Sequence, residues 1–107
     1  ESDPSNALTQ WAGPEPPPSN ATYTDTTVPC GGSGSNTAHN VSWSNGDPSL
    51  ETEVLVAGAA VLVVAPGGTS ASVCADPADP RISVRHRVEA FGVYDYTRSI
   101  SATMEPT

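Results

Sequence analysis

The sequence predicts an all-β fold: an antiparallel β-sandwich of the immunoglobulin-like type, with about seven short strands, one disulfide and a Pro-rich extended N-terminal arm. Three observations predict it. Apolar residues alternate with polar ones at period two in residues 38–44, 81–90 and 93–104. Turn-forming clusters punctuate the chain every 8–12 residues or so, and the nine Gly and eleven Pro fall mostly there. Helix-forming vocabulary is sparse, with no Lys and only four Arg in 107 residues. A small barrel is the alternative fold.

Residues 1–21 form the arm and 22–107 the domain. The arm holds five prolines, including Pro16-Pro17-Pro18, and favours polyproline II geometry. Leu8 and Trp11 are its large apolar residues, suited to docking on a neighbouring subunit. Thr22 to Val28 is a Thr-rich strand ended by Pro29, and a Gly/Ser loop follows. In Ala38 to Ser44, His39, Val41 and Trp43 share one face, leaving Asn40 on the wet face. Asn45-Gly46-Asp47-Pro48 is a turn.

Glu51 to Ala65 is the apolar heart, read as one long strand or as two strands bending near Gly58-Ala59-Ala60. Its valines argue against a buried helix. Ser70 to Ala75 is a short strand between two turns. From Arg81 to Ala90 the residues alternate cleanly, Ile82, Val84, His86, Val88 and Ala90 facing the core. Phe91-Gly92 joins this strand to a second alternating stretch, Val93 to Met104, as a β-hairpin, with Tyr94, Tyr96, Ile100, Ala102 and Met104 on one face.

Cys30 and Cys74 lack metal-binding spacing. They read as one disulfide formed in an oxidising compartment, or else as two buried thiols in the cytosol. Two sequons, at Asn20 and Asn40, are candidate glycosylation sites. The disulfide and sequons together predict a secreted or cell-surface protein. The chain starts at Glu1 with no signal-peptide pattern, as expected of a mature or trimmed form. Its longest apolar stretch, Val54 to Ala65, is too short to span a bilayer as a helix.

Charge is unevenly placed. The net charge is -8, and the first 80 residues carry no Lys or Arg. This acidity argues against nucleic-acid binding. All four cations follow: Arg81, Arg85 and Arg87 on one strand face, with Arg98 on the hairpin partner. They either pair with acids of the same domain or receive an acidic patch of another subunit.

No catalytic, metal or cofactor motif emerges. His39 and His86 fall on core faces, no Gly-x-Ser-x-Gly elbow is present, and Asp76 and Asp79 offer too few oxygens for tight calcium binding. The expected function is therefore non-enzymatic, without cofactors: a structural subunit of an extracellular assembly, such as a pilus-like filament or a surface or virion layer. It would bind copies of itself through Leu8 and Trp11 of the arm and through the Arg face. The alternatives are a monomeric binding module for carbohydrate or a cell surface, marked by an exposed cluster of Tyr23, Tyr94 or Tyr96, and a small secreted toxin or enzyme, marked by an accessible histidine bonded to an acid.

Overall fold

The computed structural model describes residues 16–30 and 34–105. Among these there is no helix, and nine strands make two sheets: β1 (Ser19–Pro29), β2 (Thr37–Ser44), β3 (Glu51–Val56), β4 (Ala59–Val64), β5 (Ser70–Ala75), β6 (Ile82–Ala90), β7 (Val93–Tyr96), β8 (Ile100–Ser101) and β9 (Thr103–Met104). One sheet has the order β5-β2-β1-β9; the other runs β4-β3-β6-β7, with β8 also on β6. Every ladder is antiparallel except β1 with β9, which is parallel. Strand β1 takes in Ser19, Asn20 and Ala21, three residues that the sequence pattern assigns to the arm.

The two sheets share one apolar core. Tyr23, Val41, Trp43 and Val73 enter it from the first sheet, and Val54, Ile82 and Val84 from the second. The period-two pattern puts them there: β2 buries His39, Val41 and Trp43, while β6 buries Ile82, Val84 and His86. Burying one such aliphatic side chain contributes roughly 1.5–3 kcal/mol.

His86 stitches the core to a loop. Its Nε2 accepts hydrogen bonds from the backbone N–H groups of Gly46 (3.1 Å) and Asp47 (3.3 Å). This leaves the proton on Nδ1, which faces Thr52 Oγ1 at 3.1 Å and the Glu51 carbonyl at 3.3 Å. Gly46 is needed here for space. A Cβ would meet the carbonyl oxygens of Pro16 and Pro17. The proline run thus lies against this loop, and Pro18 is fully buried.

The apolar stretch from Glu51 to Ala65 is two strands, the second of the expected forms, but they fold back completely instead of bending. Ala57 and Gly58 both have positive φ (53° and 84°), and this two-residue turn makes β3 and β4 a hairpin. The β6–β7 hairpin turns the same way at Phe91 and Gly92 (55° and 80°).

The last expected strand, Val93 to Met104, is instead three pieces. Thr97 breaks it. Its buried backbone N–H donates to the His86 carbonyl, and its Oγ1 accepts from the His86 N–H while facing the Arg98 carbonyl. Beyond it β8 returns to Ser83 and Val84 of β6, and β9 then crosses to β1 in the other sheet. Tyr94 and Tyr96 therefore lie outside the core, Ala102 is buried in it, and Met104 is exposed. The apparent single face was a coincidence of spacing across three elements.

Cys30 and Cys74 form the disulfide, joining the end of β1 to β5 at the start of the intervening β2. Their separation of 44 residues corresponds to about 4 kcal/mol of loop-closure entropy in the chain-entropy account.

Candidate interaction surface

The outward faces of the two sheets differ in chemistry. On the first sheet, Asn40 and Ser42 of β2 stand beside Thr24, Thr22, Ser72 and Ser70 of the flanking strands. Asn40 and Ser42 are exposed, so this sequon does lie on the wet face. Asn20 is exposed too, with a positive φ of 54° where the β1–β2 register shifts.

On the second sheet the charges interlock. Glu51 and Glu53 of β3 are directly opposite Arg87 and Arg85 of β6. Glu53 Oε1 accepts from Arg85 Nε (2.9 Å) and Nη2 (2.8 Å), and its Oε2 from Arg87 Nη1 (3.2 Å). Arg87 Nε donates to Glu51 Oε1 at 2.8 Å, and this bond holds the guanidinium pKa above its ordinary range. The Glu53 side chain is only 5% exposed, so these charge-assisted bonds are largely shielded from water. β7 completes the layer. The Arg85 guanidinium lies 3.8 Å from the Tyr96 ring centroid and that of Arg87 4.1 Å from Tyr94. The two tyrosine rings are 6.4 Å apart and remain partly exposed.

Of the cations expected at a subunit interface, Arg85 and Arg87 are thus occupied by acids of their own domain. Arg81 lies 3.6 Å from Asp79, with both side chains exposed to 70% or more. Arg98 is exposed and lines a shallow depression with Pro16, Pro17 and Asn45. Leu8 and Trp11 lie outside the described residues. The sequence carried a signal for the ionic ladder: Glu51 and Glu53, like Arg85 and Arg87, are spaced two apart, and period-two spacing puts each pair on one strand face.

Sequence reasoning missed two features. The first is β4. It forms one edge of its sheet, carries no charge, and exposes Val61 (53%), Leu62 (38%) and Val63 (40%). Such an edge offers unpaired backbone groups and apolar side chains to an added strand. The second is the β6–β7 hairpin tip, where Phe91 is fully exposed and Val93 largely so.

The two histidines lie inside the fold. Both are fully buried. His39 Nδ1 faces the Thr37 carbonyl at 2.9 Å, its Nε2 has no partner, and its ring packs against Tyr23. No group of three potential metal ligands occurs among the described residues, and no helix among them is long and apolar enough to cross a membrane. The disulfide is compatible with an extracellular protein.

No family model matches the chain, and no curated protein or solved structure matches it either.

Proposed function

We propose that the chain is a secreted, non-enzymatic β-sandwich of immunoglobulin-like strand order that serves as a structural subunit of an extracellular assembly. The strand orders support the class, with β1, β2 and β5 in one layer facing β4, β3, β6 and β7 in the other. The disulfide departs from the antibody pattern, since it ties two strands of a single sheet.

The observation that carries the reading is the β4 edge. Soluble domains protect such edges with Lys, Pro or inward charges, and β4 has none of these residues. In the assembly, residues 1–15 of a neighbouring copy add along β4 by main-chain hydrogen bonding, with Leu8 and Trp11 as side-chain anchors. Glycans on Asn20 and Asn40 decorate the hydroxyl-rich sheet, away from this edge. Deleting residues 1–15, or placing Lys at Val61 and Val63, is expected to reduce particle size by light scattering and electron microscopy. Unchanged particle size in both variants overturns the mechanism.

The neighbouring Tyr94 and Tyr96 rings support a second reading, a monomeric carbohydrate-binding module, since a sugar can stack on such a pair. Monomeric behaviour at high concentration, together with a glycan affinity lost in Tyr96→Ala, selects it over assembly. The toxin or enzyme reading has less support, because neither imidazole has a carboxylate among its hydrogen-bond partners.

A further inference from the structure

The β6–β7 turn is built from the wrong residue for its backbone. Positive φ at both positions of a two-residue turn suits Asn-Gly, and a bulky side chain is an outlier there. The β3–β4 hairpin makes the same turn with Ala57-Gly58, so the fold does not require an aromatic ring at such a site. Phe91 nonetheless occupies the β6–β7 turn at φ 55°, with 105% exposure and no shelter from its own domain. Val93, exposed to 65%, stands beside it. Strain held at an exposed apolar tip points to recognition.

A depression lies at the other end of the same strand. Ala57, Gly58, Arg81, Ile82, Ser101 and Ala102 line a shallow depression of about 520 Å³. Ile82 begins β6 and Phe91 follows its last residue, so knob and depression lie at opposite poles, about 30 Å apart along the strand. Their charges match as well. Exposed Glu89 and Asp95 flank the tip, while Arg81 edges the depression. Arg81's contact with Asp79 is long and exposed, and so is easily exchanged.

We infer that Phe91 of one copy seats in the Arg81-edged depression of the next, a heterologous head-to-tail contact between copies of this chain. A heterologous contact of this kind adds copies head to tail, into a ring where the rotation between them closes and into an open filament where it does not. The inference rests on the assembly reading above and names a second contact for it, independent of β4 and residues 1–15. A membrane is disfavoured as occupant because the tip is flanked by acids and the chain carries a net charge of -8.

The test is sedimentation of the full chain and three variants over a concentration series. Phe91→Asn lowers the association constant by about tenfold or more, as expected of an aromatic anchor. It also raises the melting temperature, because Asn suits the turn. Arg81→Glu weakens association by adding an acid opposite Glu89 and Asp95, and the double change Arg81→Glu with Glu89→Arg restores it. If the unaltered chain assembles and Phe91→Asn assembles equally well, the contact is wrong while the assembly reading stands. A chain that stays monomeric at every concentration removes both. Binding to phosphatidylcholine vesicles that is lost in Phe91→Asn assigns the tip to lipid and overturns the contact.

Discussion

Strands β3 and β4 come from one apolar stretch and are joined by a two-residue turn, yet their surroundings are opposite. β3 lies between β4 and β6 and buries Thr52, Glu53, Val54 and Leu55. β4 pairs with β3 on one side only, and Ala59 to Val63 are all exposed. The more uniformly apolar strand is thus the wetter one. Burial follows the number of neighbours a strand has, and hydrophobicity alone does not supply neighbours. A charged residue can be buried in β3 because β6 brings the matching cations: Glu53 is 4% exposed and held by two arginines. Apolar residues stay exposed in β4 because no further strand covers them among the described residues.

The sharpest way to break this contrast is the same substitution in both strands. Val54→Thr places a hydroxyl at a fully buried position and costs about 2–3 kcal/mol. Val63→Thr, at an exposed one, changes stability by less than about 0.5 kcal/mol. Urea unfolding measures both, and equal costs would show that β4 is as well covered as β3. Next in size, Glu53→Gln removes the charge shared by Arg85 and Arg87 and costs about 1.5 kcal/mol. A high-salt titration checks the cause, because the loss persists where screening would erase an exposed pair.

Smaller effects sharpen the comparison at its hinge and at its edges. Ala57→Gly relieves the positive φ between the two strands and stabilises the domain by about 0.5–1 kcal/mol. A loss would mean that Ala57 makes contacts worth more than the strain. The smallest expected change is with acid. The Asp25 carboxyl is held below its ordinary value of 3.8 by the Thr27 backbone N–H and the Thr37 hydroxyl, and Asp47 by the hydroxyl and N–H of Ser49. A folded-state pKa below the unfolded one adds stability above pH 3.8, and that stability is lost as pH falls through the lowered value. Melting temperature therefore declines as pH drops below about 4, and Asp25→Asn together with Asp47→Asn flattens part of that decline.

Period two made β2 and the first five residues of β6 readable residue by residue, because each has one dry and one wet face and a shift by one residue would reverse them. Towards the end of β6 the expected core positions fail, Val88 being half-buried and Ala90 exposed. The same reasoning failed at Val93 to Met104. Alternation there persisted through a break at Thr97, whose hydrogen bonds to His86 on another strand redirect the chain. The Arg face was legible as a face, but its partners were not, since nothing local places Glu51 and Glu53 beside β6. Phe91 was legible as a turn residue, whereas its exposure and the depression at the opposite pole depend on where the sheets end.

The sequence by itself determined most of the strands and turns and the inward side of the cleanly alternating residues, because these follow from local sterics and the period of the pleat. For the two cysteines it left one disulfide or two free thiols, and the fold brought them together. Tertiary structure alone decided that β3 is central and β4 an edge, that Arg85 and Arg87 are met by acids of their own domain, and that the chain crosses between sheets after β8. The physical reason is that strand order brings together residues thirty or more positions apart, and neither spacing nor composition encodes which strands become neighbours.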